Sequence, residues 1–339
     1  MRRGVAALVS LPALVALTGL SACASGPEAK PVAATRSAED AGVPETIAPD
    51  AAALAEPEPP PPVYVAPPKI ALVLGGGGAR GFAHVGVLRV LAEEKIPIDL
   101  VVGTSVGSVI GALYAAEPNV FELEWKAFEI EKDDFIDYSL FSAKTGPVKG
   151  EAIQAFVREH VKQQNIEEFP VRYVAVATDL ATGRRVEFSS GPVVDAVRAS
   201  VAIPGVFTPA QVGGRALVDG GVVANIAVDT ARAHGADLVI ASNISHRVVN
   251  TDLNDVVDIT LQSITIMMAE MAAEQLRDAD VVVTPPISDV GTLDFSQKKR
   301  CMTAGIESAR AQVPAIRKAI EAYYYARGGV PPVNLVPPE

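Results

Sequence analysis

Cysteine is nearly absent: the 339 residues hold two, Cys23 and Cys301. Two cysteines support neither a disulfide framework nor a cysteine-rich metal cluster. Histidine is as scarce. The four residues are scattered and none is spaced as a ligand pair, which argues against zinc. Aromatic residues make up 5% of the chain, with a single tryptophan. Positive charge is outnumbered, 29 Lys and Arg against 40 Asp and Glu, for a net charge of −11. No basic cluster stands out, so nucleic acid is not an expected partner. The apolar run from Val5 to Leu20 is shorter than the ~20 residues that a spanning helix needs.

What is present divides the chain. Met1-Arg2-Arg3 is basic, Val5 to Leu20 is apolar, and Leu20-Ser21-Ala22-Cys23 closes the run with small residues and a cysteine. That is the layout of a secretory signal peptide over residues 1–22. The segment resembles a bacterial lipoprotein lipobox, which implies cleavage before Cys23 and lipid on Cys23. The alternatives are an ordinary signal peptide or a short membrane anchor. Ala24, not aspartate, follows the cysteine. By resemblance to lipoprotein sorting, this points to the outer membrane of a Gram-negative cell envelope, facing the periplasm. Residues 24–68 are rich in Ala, Pro and Glu and end in Pro57-Glu58-Pro59-Pro60-Pro61-Pro62 and Pro67-Pro68. With little branched or aromatic content, no core can form there, and the lipidated segment 23–68 reads as a semi-rigid tether. Residues 69–327 remain as one domain, with a loose Gly- and Pro-rich tail over 328–339.

Within the domain, strands and helices alternate. Strands are expected over 70–74, 100–102, 171–177, 184–189, 215–218, 237–242 and 281–283. Helices are expected over 82–91, 106–116, 120–130, 150–164, 192–200, 228–234, 255–278 and 297–327. This order predicts a three-layer α/β/α fold with a mainly parallel central sheet covered on both faces. Ligands in such sheets sit at the carboxyl ends of the strands. Three segments fall at strand ends and would converge there: the Gly76–Gly81 loop, Ser105 and Asp219.

The central signal is Gly103-Thr104-Ser105-Val106-Gly107, a G-x-S-x-G between a β-branched strand and an apolar helix. In that setting the motif reads as a nucleophile elbow, with Ser105 lifted to a helix N-terminus. The bland alternative is a Gly/Ser turn. A serine nucleophile needs a base and donors for an oxyanion. Gly76, Gly77, Gly78, Ala79, Arg80 and Gly81 offer backbone N–H groups at a helix start. Arg80 carries a charge that does not suit the helix dipole there, so it fixes the loop or attracts an anionic substrate. Gly76-x-Gly78-x-x-Gly81 also fits a dinucleotide fingerprint, the mark of an oxidoreductase. That rival wants an acid at the end of the second strand; Asp99 precedes the strand instead.

For the base, two arrangements stay open. One is a triad in the order Ser105, Asp219 and then His234 or His246, of which His246 follows a strand. The other is a dyad in which Asp219, in the Asp219-Gly220-Gly221 turn, takes the serine proton itself.

The Gly76–Gly81 loop, the Gly103–Gly107 elbow and the Asp219-Gly220-Gly221 turn, in that order, look like the patatin-like phospholipase family. Ala199-Ser200-Val201-Ala202-Ile203-Pro204 and Thr178-Asp179-Leu180 with Thr182-Gly183 also resemble segments of its bacterial members. The resemblance covers about residues 69–286 and implies a patatin-like fold. It implies a Ser105–Asp219 dyad, an oxyanion hole at Gly76–Gly81, and ester hydrolysis through an acyl-serine. Histidine, metal and cofactor are not needed in that chemistry. It implies phospholipids, lysophospholipids or neutral acyl glycerols as substrates, met at a membrane reached through the Cys23 anchor. On this reading His84, Cys301 and Trp125 are structural. A non-catalytic lipid-binding lipoprotein is the alternative outside enzymology.

Overall fold

A computed structural model describes residues 63–130, 148–246, 253 and 256–332. The signal peptide, Cys23, the tether up to residue 62, Asp255 and the tail from residue 333 lie outside the described residues. The elements in chain order are β1 (Ile70–Leu74), α1 (Phe82–Glu93), β2 (Leu100–Thr104), α2 (Val106–Ala116), α3 (Val120–Glu129) and α4 (Glu151–His160). Then come β3 (Arg172–Asp179), β4 (Arg185–Phe188), α5 (Val193–Ser200), β5 (Ala210–Val212), β6 (Arg215–Asp219) and α6 (Val228–Ala233). The last are β7 (Leu238–Ser242), α7 (Val256–Gln275), β8 (Val281–Val283) and α8 (Lys298–Tyr325).

The eight strands form one sheet in the paired order β5-β6-β3-β2-β1-β7-β8, with β4 also on β3. Alternation along each central strand explains the three layers. Ile70, Leu72 and Leu74 of β1 join the core on one face, while Ala71 and Val73 join the core on the other. A strand buried on both faces needs apolar residues at every position, which is why these strands read as continuous apolar runs. On the first face α8 crosses α1 at a pair of glycines. A Cβ on Gly86 would lie 2.2 Å from Met302 O, and one on Gly305 would lie 2.1 Å from Ala83 O. The two backbones therefore touch, and α8, which no motif covers, closes the fold.

The mainly parallel sheet is as expected, with antiparallel members added, and two expectations are corrected, on Trp125 and on part of the tail. The sheet is mixed: β1, β2, β3, β7 and β8 are parallel, but β4 and β6 run antiparallel to β3. β5 is a further short strand, too short to show a period in the sequence. Trp125 is not a core residue; it is 67% exposed on α3, beside exposed Phe121 and Phe128. Of the tail, Gly329 and Pro331 are buried, with Gly329 against Val65.

The antiparallel β6 is what brings Asp219 to the site. β4 and β6 both pair with Ala177 and Thr178, so they occupy opposite edges of β3. β2 and β4 both pair with Ala175 and Val176, so they too lie on opposite edges. β2 and β6 thus share one edge, running toward each other. β2 ends at Thr104 opposite Val176, and β6 ends at Asp219 opposite Ala177. The strands meet head to head, and Ser105 and Asp219 are the residues at the junction.

Candidate active site

Ser105 follows β2 in a left-handed conformation, φ 54° and ψ −128°. For a residue with a side chain, this costs on the order of 1–3 kcal/mol and persists only where its surroundings enforce it. Here they do. A Cβ on Gly103 would stand 2.4 Å from Gly107 O, and one on Gly107 would stand 2.1 Å from Leu74 O. Only glycine at both positions lets the strand, the turn and α2 close so tightly. The Ser105 carbonyl accepts from both the N–H and the hydroxyl of Ser108, at 2.8 and 2.6 Å. The Ser105 N–H donates to Ser200 Oγ at 3.0 Å, and Ser200 Oγ donates to Val176 O at 2.6 Å.

Asp219 is 1% exposed and Ser105 3%. Asp219 Oδ1 accepts from the Gly221 N–H at 2.7 Å, which explains the turn after it. Its Oδ2 is buried and lacks a partner of full hydrogen-bond geometry. Burial pushes the Asp219 carboxyl up to about 7; the Ser105 hydroxyl and the Gly221 N–H pull the other way. A buried carboxylate oxygen without a partner is costly, and such groups concentrate at functional sites. The Asp219 N–H donates to Ala202 O at 3.0 Å. The Ala199–Pro204 segment therefore grips both residues, Ser105 through Ser200 and Asp219 through Ala202.

The glycine-rich loop lies beside the elbow, since β1 pairs with β2; a Cβ on Gly76 would come within 2.9 Å of Ser105 Cβ. Its N–H groups are not equivalent. Gly76 N–H donates to Asn225 Oδ1 at 3.1 Å, Ala79 N–H to Thr292 O at 2.8 Å, and Arg80 N–H to Gly77 O at 3.4 Å. Those of Gly77 and Gly78 donate to no protein group among the described residues. Gly78 has φ 59°, and a Cβ there would sit 2.1 Å from Thr292 O. Arg80 fixes the loop: its buried guanidinium donates from Nε to Gly77 O at 3.1 Å and from Nη1 to His246 O at 3.3 Å.

Three positioning residues have little sequence signal. Asn225 clamps Gly76 from both sides, accepting from its N–H and donating to its carbonyl at 3.3 Å. His84 is wholly buried, with Nε2 2.8 Å from Gly75 O and Nδ1 2.8 Å from Ser242 Oγ. A carbonyl only accepts, so Nε2 carries the proton and the Ser242 hydroxyl donates to Nδ1. Burial lowers His84 to about 4, so the ring is neutral. Ser200 is the third. Cys301 is free and buried, its thiol pushed up to about 11 by burial.

The other histidines are engaged elsewhere. His246 Nε2 donates to Pro285 O at 2.7 Å, His234 Nε2 meets Glu187 at 3.1 Å, and His160 Nδ1 meets Phe156 O at 2.9 Å. Thr178-Asp179-Leu180 and Thr182-Gly183 make the β3–β4 hairpin, where Asp179 Oδ1 accepts from the Ala181 and Thr182 N–H groups, both at 3.0 Å. Among the described residues no group of three or more His, Cys, Asp or Glu could hold a metal ion. No described helix is long and apolar enough to cross a membrane.

Residues 72–232 match the family model of the patatin-like phospholipases. An uncharacterised NTE family protein of Mycobacterium tuberculosis is 39% identical over 180 residues, 52% of this chain and 49% of that protein. A patatin-like phospholipase domain-containing protein of Caenorhabditis elegans is 32% identical over 278 residues, 71% of this chain and 20% of that protein. The chain thus spans about half the length of the mycobacterial relative and a fifth of the nematode one. The crystal structure of VipD from Legionella pneumophila is a looser likeness, with a TM-score of 0.42 and 13% identity over 73% of this chain and 67% of that one. By this match, residues 72–232 of the chain are a domain of the patatin-like phospholipase family.

Proposed function

We propose that the protein is a serine acyl hydrolase acting on lipid esters, with Ser105 as nucleophile and Asp219 as base. The observation that carries this is the buried Asp219 Oδ2, unpartnered beside the strained Ser105. Ser105 Oγ attacks the ester carbonyl carbon while its proton passes to Asp219. The carbonyl π electrons move onto oxygen, and the Gly77 and Gly78 N–H groups receive that charge. A preorganised donor of this kind contributes ~3 kcal/mol in the transition state. The tetrahedral intermediate collapses, the C–O bond to the alcohol breaks, and Asp219 returns the proton to the leaving oxygen. Water then adds to the acyl-serine, giving its proton to Asp219. A second collapse frees the carboxylic acid, and the proton goes back to Ser105. One ester and one water give one acid and one alcohol. A base with a pKa near the working pH suits this shuttle.

Full-length protein is tested on mixed phospholipid vesicles by release of free fatty acid. Ser105→Ala and Asp219→Asn are expected to lose at least ~10³-fold in kcat, while His246→Ala stays within about two-fold. Equal loss in His246→Ala would replace the dyad with a triad. No Ser105-dependent release from vesicles or a short-chain ester would favour a lipid-binding lipoprotein.

The proposal extends to the envelope. Cys23 carries lipid, and residues 24–68 tether the hydrolase to the outer membrane. Cys23→Ser is expected to move the protein from the membrane to the soluble fraction; an unchanged distribution rejects the anchor.

A further inference from the structure

Ser105 opens onto a slot walled by apolar side chains. Val106, Val201 and Phe207 belong to the buried core. Leu293 and Phe295 come from the arm that joins β8 to α8 and are only half-buried. The slot has a volume of about 30 Å³. That is room for a water molecule or two, and so for little more than an acetyl group. Thr292 and Leu293 also wall a second cavity of about 410 Å³, between the arm and α7 at Leu261, Gln262 and Thr265. A volume of that size falls within the ~300–1,000 Å³ of ordinary ligand sites.

The arm is pinned on either side of Leu293. Thr292 O accepts the Ala79 N–H, and the Phe295 ring meets Phe82 edge-on with centroids 6.1 Å apart. Leu293 lies between these anchors and makes no hydrogen bond from its side chain. It is the part of the wall that can give way without disturbing the oxyanion loop. Val106, Val201 and Phe207 cannot yield without opening the core.

We propose that Leu293 determines acyl-chain length: it closes the slot, short acyl groups fit beside it, and longer chains must displace it toward the 410 Å³ cavity. This rests on Ser105 being the acylated nucleophile. The acyl carbons beyond the acetyl methyl are then the part that meets Leu293, so discrimination depends on chain length rather than on the alcohol.

The test compares p-nitrophenyl acetate with p-nitrophenyl decanoate on the full-length protein. Leu293→Ala is expected to raise the decanoate-to-acetate ratio of kcat/KM about ten-fold, mainly through KM for decanoate. Leu293→Phe is expected to lower that ratio. An unchanged decanoate-to-acetate ratio in both variants overturns the assignment of Leu293 and leaves the hydrolase reading intact. If Ser105→Ala cleaves acetate as fast as the wild type, both fall together.

Discussion

Ser105 and Asp219 end two strands that meet on one edge of β3, yet they are held in opposite ways. Ser105 is strained in its backbone, and close-packed glycines enforce the strain. Asp219 has a backbone outside the left-handed region; its unfavourable term is desolvation of the carboxylate. The lesson is that the proposed nucleophile is presented by geometry, whereas the proposed base is made by its surroundings. The first is a short-range property of the chain. The second needs elements from across the fold to exclude water.

The largest expected difference between them is in pH dependence. The folded Asp219 carboxyl titrates at about 7, against the usual 3.8. Between those values the folded protein keeps a proton that the unfolded chain has released. Stability therefore falls as pH climbs from about 4 to 7 and stays reduced above that. Asp219→Asn removes the effect. In urea unfolding it is expected to be more stable than wild type by up to about 4 kcal/mol at pH 8, with little difference at pH 4. In the wild type, kcat/KM is expected to fall about ten-fold per pH unit below 7, because Asp219 must be ionised to act. A stability gap that does not change with pH would mean that Asp219 is not the titrating group.

A smaller effect is expected at Ser105. Ser105→Gly keeps the elbow but relieves the left-handed strain, offset by the extra backbone freedom that glycine brings to the unfolded chain. A net gain of about 1 kcal/mol is expected at pH 4, where Asp219 is protonated, and a smaller one at pH 8, where the variant also lacks the hydroxyl that favours the Asp219 carboxylate. Loss of stability in this variant would show that the Ser105 backbone is not strained, and the contrast with Asp219 would dissolve.

Much of the site was legible because glycine spacing is a local backbone requirement. Gly103, Gly107 and Gly78 each stand where a Cβ would strike a backbone atom. The hydrogen bonds that hold the glycine-rich loop and the elbow were not legible. Asn225, Ser200 and His84 are ordinary polar residues in the sequence, and their roles rest on hydrogen bonds to Gly76, Ser105 and Gly75. Nor did apolar patterning give the direction of β6, since Arg215 to Asp219 reads the same run up or down the sheet. Trp125 was misplaced for a related reason. A large aromatic in a helix suggests packing, but whether its face meets the core depends on how α3 docks.

By itself, the sequence determined the order of strand, glycine turn and helix, the choice of Ser105 and Asp219 as candidate residues, and the apolar core strands. These follow from steric limits and periodicities that act over a few residues. Only the tertiary structure decided that β2 and β6 meet head to head and that Asp219 is raised to about 7. It also decided that the Gly77 and Gly78 N–H groups meet no acceptor among the described residues, and that Leu293 stands between two cavities. Each of these depends on which atoms exclude water from which others. That is settled by packing between residues far apart in the chain.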